Sequence, residues 1–78
     1  MEKFLLKNGF IEEGNSVSTF IYSKFFNDYE LIVALNAGEI YWISISQNDL
    51  INPGKRIVTP IDYIKTELQL KYLIKSFE

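Results

Sequence analysis

The 78-residue sequence contains no cysteine and no histidine. Disulfides and thiolate nucleophiles are therefore impossible, and zinc sites built from Cys and His ligands are absent. Serine–histidine and cysteine–histidine hydrolases are excluded for the same reason. A domain this small obtains only about 3–5 kcal/mol from its core and often depends on a disulfide, a metal or oligomerisation. The composition therefore favours oligomerisation and predicts no cofactor, no metal site and no catalytic residues.

Long apolar runs are also missing. The longest apolar runs that do occur, such as Leu31 to Leu35, are far too short to span a bilayer. Residues 1–7 lack the apolar segment and the small-residue cleavage site of a signal peptide. The expected location is therefore cytoplasmic, without a membrane partner.

No charge of one sign dominates, because 10 acidic residues nearly balance 8 basic ones and leave a net charge of −2. The basic residues are scattered along the chain, so no concentrated field for phosphate groups is visible. The near balance also argues against an acidic mimic of nucleic acid. Lysine is strongly preferred to arginine, and isoleucine, asparagine, tyrosine and phenylalanine are abundant. This bias is typical of AT-rich coding, as in low-GC bacteria and their phages.

The residues that are present predict one folded domain spanning residues 1–78, because 47% are hydrophobic and 15% aromatic. Glu2 to Asn8 is predicted to be a short helix that stops at Gly9, with Phe10 packing back on Leu5. Residues 11–16 are polar and contain glycine, which indicates a loop or a ragged strand start. Alternating side chains then predict three strands, joined by short turns in an antiparallel meander: Val17 to Phe26, Tyr29 to Asn36 and Glu39 to Ser46.

The remaining residues predict a connection and a C-terminal helix. Gln47 to Val58 forms a longer connection that contains the turn sequence Asn52-Pro53-Gly54. Thr59 is the predicted N-cap of the last helix, with Pro60 in its first turn. The expected fold is α+β in the order α-β-β-β-α: a short N-terminal helix, a three-stranded antiparallel meander, and a C-terminal helix packed on one sheet face.

This element order resembles the double-stranded-RNA-binding domain. That family carries a lysine cluster at the start of its second helix, where it contacts phosphates. The corresponding stretch here is Thr59-Pro60-Ile61-Asp62, and the nearest basic pair, Lys55-Arg56, precedes it. The resemblance therefore assigns no RNA-binding residue.

The predicted last helix has apolar residues on two opposite sides at about 100° per residue. One side gathers Ile61, Ile64, Leu68 and Tyr72. The other gathers Tyr63, Leu70, Leu73, Ile74 and Phe77. One stripe must lie on the sheet. Three explanations are open for the second stripe. The N-terminal helix and the long loop could cover it, or a bend in the helix could bring both stripes into one core. The third explanation is an interface, and symmetric dimers are the commonest such contacts.

One face of a three-stranded sheet is expected to stay uncovered by the helices. It would show either Trp42 and Ile40, or Tyr41, Ile43 and Ile45. A loop or a second copy could cover these residues, or they could form an aromatic platform for bases or a peptide.

Two further features have ordinary surface explanations. The sequence "NPGKR" at 52–56 is expected to be a solvated turn, and Glu12-Glu13 is expected to be a solvated acidic pair.

We predict a non-enzymatic protein–protein interaction module that self-associates as a homodimer. The candidate partner-binding residues are Trp42, Tyr63, Leu70, Leu73, Ile74 and Phe77. Size and coding bias suggest a phage or mobile-element accessory protein that inhibits a host defence protein. The alternative is a small nucleic-acid-binding module that uses aromatic residues on the exposed sheet face.

Overall fold

The computed structural model describes residues 1 to 78. The chain forms α1 (Glu2–Lys7), β1 (Ile11–Asn15), β2 (Thr19–Phe26), β3 (Tyr29–Asn36), β4 (Glu39–Asn48), β5 (Arg56–Ile61) and α2 (Glu67–Phe77). The strands build one antiparallel sheet in the order β1-β2-β3-β4-β5. The α+β class is confirmed, but the prediction of a three-stranded meander is wrong because the sheet has five strands. Neither helix has the length and apolar character needed to cross a membrane.

Helix α1 ends as the sequence predicts. Gly9 has a φ of 87°, which glycine adopts without the steric cost that a side chain would bring. The N–H of Phe10 donates to the carbonyl oxygen of Leu5 at 3.0 Å, and the N–H of Gly9 donates to that of Leu6 at 3.2 Å. These two bonds are the Schellman pattern. Both Leu5 and Phe10 are buried, so the cap also turns the chain into the core.

Two tight hairpins join β2 to β3 and β3 to β4. Asn27 takes a φ of 50° in the first, as asparagine in such turns often does. Ala37 and Gly38 have φ values of 53° and 81° in the second. Positive φ at both central residues defines the turn type that prefers Asn-Gly, so alanine is the strained residue of this hairpin.

Ala37→Asn should therefore raise the free energy of unfolding by about 0.5–1 kcal/mol, because asparagine tolerates the left-handed conformation. Urea unfolding at one fixed protein concentration measures the change. Ala37→Val is the opposite control, since a β-branched side chain should lower the stability at this φ. Equal stability of the two variants would contradict the turn geometry.

The predicted start of the last helix at Thr59 is wrong. Residues 56–61 instead form β5, in which Ile61 lies opposite Ile43 and Ile57 opposite Gln47. Pro60 fits this place because β5 is an edge strand, where a missing N–H donor is tolerated.

Helix α2 begins only after Thr66, which is its N-cap. The Thr66 hydroxyl accepts from the N–H of Gln69 at 3.2 Å, and the Gln69 side-chain oxygen accepts from the N–H of Thr66 at 3.0 Å. This reciprocal capping box satisfies two donors that the first turn would otherwise leave free.

The segment predicted as a loop or ragged strand start is strand β1. It pairs with β2 through Ile11 opposite Ser23 and Asn15 opposite Phe20, with a bulge between Glu12 and Gly14. Because β1 and β5 extend the sheet on both sides, the order α-β-β-β-α does not hold. The resemblance to the double-stranded-RNA-binding domain depended on that order of elements, so it does not hold for the structure.

Both helices pack on the same face of the sheet, as expected from the short chain. Leu5 of α1 and Leu70 and Ile74 of α2 belong to one buried cluster with side chains from the strands. The strand members are Tyr22, Phe26, Leu31, Val33, Leu35, Ile43 and Ile61. The strand pairings place all of them on one face. We call the opposite, helix-free surface the open face.

Candidate functional site

The predicted second stripe of the last helix lies against the sheet. Leu70 is 0% and Ile74 3% exposed. Leu73 and Phe77 are partly buried and pack against the same cluster. The Phe77 ring lies 5.5 Å from that of Phe26 and 5.7 Å from that of Tyr29, between centroids. In the folded monomer Leu70 and Ile74 offer no surface to a partner.

The other apolar stripe of the predicted helix is divided by the late helix start. Ile61 ends β5 and Ile64 lies in the following loop, and both are buried. Leu68 and Tyr72 remain on α2 and are exposed. Tyr63 is exposed in the loop and lines a shallow groove together with Tyr72 and Leu73.

The open face carries large apolar side chains from all five strands. Its pairings place Ile21, Ala34 and Trp42 in one row across the sheet, and Ser23, Ile32 and Ser44 in the next. The large apolar residues of this face are Ile11, Ile21, Phe25, Ile32, Trp42 and Val58. An uncovered face of an antiparallel sheet usually alternates to polar residues, so this composition is unusual.

Several of these side chains are strongly exposed. Phe25 is 66% and Trp42 39% exposed, and Ile11 and Val58 are exposed as well. Ile21 and Ile32 are half-buried between their neighbours. Contiguous apolar area of this kind marks an interaction surface on many proteins, whereas isolated exposed apolar residues need no explanation.

Small residues separate the large ones. Ser23, Ala34, Ser44 and Ser46 are buried although neither helix lies on the open face. The Ser23 hydroxyl donates to the Glu13 carboxylate at 2.7 Å. The Ser46 hydroxyl accepts from the Arg56 side chain, so two of the three buried serines of the open face are hydrogen-bonded to charged neighbours.

Charged residues stand at the two margins of the open face. Glu13 lies on β1, at one edge of the sheet. Arg56 lies on β5, at the other edge, where its Nε donates to the Ser46 hydroxyl at 2.7 Å and its Nη1 donates to the Asn48 side-chain oxygen at 3.1 Å. Arg56 also lies 4.0 Å from the Glu30 carboxylate. One margin is thus acidic and the other basic.

Lys24 lies on β2 among aromatic residues, and its side chain points to the helix side of the sheet. Its Nζ donates to the carbonyl oxygen of Asn8 at 2.7 Å and lies 3.9 Å from the Glu78 carboxylate. The same Nζ lies 4.9 Å from the centroid of the Phe26 ring. Lys24 therefore ties α1 and the C-terminus to the sheet and contributes no positive charge to the open face.

Glu12 and Glu13 stay exposed on β1 and belong to no cluster of three or more potential metal ligands. The "NPGKR" residues are exposed, as expected, but the predicted connection over Gln47 to Val58 is too long, because β4 continues to Asn48 and β5 begins at Arg56. In the turn between these strands the Asp49 carboxylate accepts from the N–H groups of Ile51 and Asn52, at 2.9 and 3.2 Å. Together with the Asn52 side chain, which is the largest cause, these bonds lower the pKa of Asp49.

The open face joins one predicted site residue, Trp42, to residues that were not singled out from the sequence. Phe25, Ile11 and Val58 are the main additions. Alternation in β2 does place Phe25 with Ile21 and Ser23 on one face, which was the available signal for it. The sequence pattern did not place Ile11 or Val58 on a sheet face. Ile11 was in a segment predicted as a loop or ragged strand start, and Val58 was in the predicted connection.

Comparisons with known proteins add no assignment: no protein-family model, no curated protein and no solved structure matches this chain.

Proposed function

We propose that this chain is a non-enzymatic protein-interaction module that binds its partner through the open face. The observation that carries the proposal is the group of large apolar side chains on a sheet surface that neither helix covers. Phe25 and Trp42 are its aromatic anchors, and interfaces concentrate their binding energy in such residues.

The size of the open face suits a modest interface. Strands spaced by about 4.8 Å and paired over about six residues give a five-stranded face of about 24 by 20 Å, or about 500 Å². Covering it with a matching surface buries about 1,000 Å² in total, which is the lower limit of specific protein–protein interfaces. We therefore expect a reversible complex.

The sheet edges are poorly suited to binding by strand addition. β5 contains Pro60, which has no N–H to offer to a new strand. β1 is irregular, with a bulge between Glu12 and Gly14 and two adjacent acidic side chains. The proline in β5 and the bulge and acidic residues in β1 all oppose pairing with a further strand. The open face is therefore the better binding surface.

A protein partner fits the charges of the open face better than nucleic acid does. Its ionic groups are Glu13, Glu30 and Arg56, and Arg56 is engaged by neighbouring side chains. Phosphate binding needs several free cations, and Lys24 lies on the other side of the sheet.

The hypothesis that the protein inhibits a host defence protein depends only on chain length and coding bias. The open face is compatible with that hypothesis.

Site-specific photocrosslinking tests the proposal. The photoreactive residue p-benzoylphenylalanine would replace Phe25 in one variant and Tyr63 in the other, in cells that express the protein. The two positions are a matched pair, since both are aromatic and 66% exposed, but Tyr63 lies beside α2. We expect protein adducts, resolved by gel electrophoresis and mass spectrometry, at position 25 and not at position 63.

An adduct at position 25 to a second copy or to a different protein supports the open face as the binding surface. Adducts formed only at position 63 would move the site to the groove beside α2. Adducts at position 25 to nucleic acid would contradict the choice of a protein partner.

A further inference from the structure

We infer that the cleft between α1 and α2 binds a small anion that carries an apolar chain or ring. The cleft lies on the helix side of the sheet and has a volume of about 450 Å³. Binding sites for small molecules usually have volumes of about 300–1,000 Å³. The cleft is separate from the open face, so the inference goes beyond the proposed function and does not depend on it.

Three lysines from the two helices line the cleft. Lys7 lies in the last turn of α1, and Lys71 and Lys75 lie about one turn apart on α2. Both ion pairs of the fold involve other cations, Lys24 and Arg56, so the three cleft lysines have no carboxylate within 4.0 Å. Like charges one turn apart on a helix repel each other. A bound anion would relieve the repulsion between Lys71 and Lys75.

Two carboxylates also line the cleft, and each has another role. Glu78 lies 3.9 Å from the ammonium group of Lys24. Glu67 lies in the first turn of α2, where a negative charge interacts favourably with the helix dipole. The charged residues at 67, 71, 75 and 78 follow one side of the helix in the order negative, positive, positive, negative. The middle of the cleft is therefore its cationic part.

Apolar side chains complete the lining. Ile74 is buried, Phe4 is half-buried and Leu68 is 59% exposed. An inorganic anion would use only the ammonium groups, whereas a ligand with an apolar group would also cover apolar surface of the cleft. Lysine presents a compact charge on a flexible stem and, unlike arginine, imposes no planar geometry on its partner. The cleft is therefore expected to select for charge and an apolar group, and not for the shape of the anionic head.

Titration of the isotope-labelled protein with octanoate, followed by two-dimensional amide NMR spectra, tests the inference. Octanoate joins a carboxylate to an apolar chain. We expect saturable shifts concentrated in the amide signals of residues 4–8 and 67–78, with a dissociation constant on the order of 1 mM for a ligand this small. Octylammonium has the same chain with the opposite charge, and inorganic phosphate has negative charge without a chain. Each of these two controls should bind at least about tenfold more weakly than octanoate.

Substitutions assign the binding to the lysines. The variant that combines Lys7→Gln with Lys71→Gln should bind octanoate at least about tenfold more weakly, because it removes two of the three cations. Lys55→Gln is the matched control, since Lys55 is also exposed but lies in the turn before β5, and it should bind octanoate like the wild type. All three lysines are exposed, and the amide spectrum itself shows whether each variant is folded.

Each contrary result overturns the inference. Octylammonium that binds as tightly as octanoate would show that the cleft does not select anions, and phosphate that binds as tightly would show that it does not use an apolar group. Unchanged binding by the double variant would remove the lysines from the site. Shifts confined to the strands would place octanoate on the open face instead of in the cleft. None of these results affects the proposed function, which fails separately if photocrosslinks form only at position 63.

Discussion

Leu70→Ala should lower the free energy of unfolding by about 3 kcal/mol, within the range of about 2–5 kcal/mol for deleting a buried leucine side chain. Leu70 is 0% exposed and lies in the buried cluster between α2 and the sheet. The substitution removes apolar burial and leaves a cavity that the surrounding strands can fill only in part. Urea unfolding followed by far-ultraviolet circular dichroism, at one fixed protein concentration, measures the loss.

Leu68→Ala is the matched control. Leu68 lies on the same helix two residues away and is 59% exposed, so its truncation should change the stability by less than about 0.5 kcal/mol. Equal losses in the two variants would contradict the orientation of α2. A stable Leu70→Ala protein that loses only self-association would restore the helix stripe as an interface.

The two apolar sides of the last helix were visible in the sequence, but their assignment depended on where the helix begins. Thr59-Pro60 satisfies the rules for a helix start, and Pro60 also satisfies those for an edge strand. The β-branched run Ile57-Val58-Thr59 favours the strand, and Thr66 with Gln69 is the capping-box pattern. Once the helix begins after Thr66, Ile61 and Ile64 leave it, and the stripe containing Leu70 and Ile74 packs on the sheet.

Strand β1 was harder to predict for a different reason. Its sequence, Ile-Glu-Glu-Gly-Asn, has low intrinsic strand propensity, so its extended conformation depends on pairing with β2. β2 and β3 were predictable because their alternation and the turn at Asn27 agree. Local pattern therefore sufficed for the centre of the sheet, whereas the edges required tertiary contacts.

The choice between the two faces of β4 also depended on tertiary geometry. Strict alternation places Ile40 with Trp42 and opposite Ile43. The structure has a bulge at Tyr41, so that Ile40 lies opposite Leu35 and Trp42 opposite Ala34. The extra residue moves Ile40 to the core side with Ile43 and leaves Trp42 on the open face.

This shift explains why the candidate site was only partly predictable. Trp42 was among the predicted partner-binding residues, but the surface around it includes Ile11 of β1 and Val58 of β5. Those two residues join Trp42 only after both edge strands have been added to the sheet. A surface assembled from five strands cannot be recognised from a pattern that predicts three of them.

High pH should destabilise the protein through Tyr22. Burial, and then the neighbouring carboxylates of Glu2 and Glu12, raise the pKa of Tyr22 from 10.0 to about 12. Between these values the unfolded chain releases the phenolic proton while the folded chain retains it. The stability that this proton provides is therefore complete below pH 10 and is lost as the pH rises towards 12, by about 2–3 kcal/mol in total.

Tyr22→Phe isolates this effect, because all other groups titrate equally in both proteins. The variant should match the wild type at pH 8 to within about 1 kcal/mol, since it loses only the hydroxyl group of a side chain whose ring stays buried. Urea unfolding at pH values from 8 to 12 should show the wild type losing stability relative to Tyr22→Phe above pH 10, until the wild type is the less stable protein near pH 12. Curves that stay parallel through this range would mean that the Tyr22 hydroxyl is solvated in the folded protein, and that the seam between α1 and β2 is open to water.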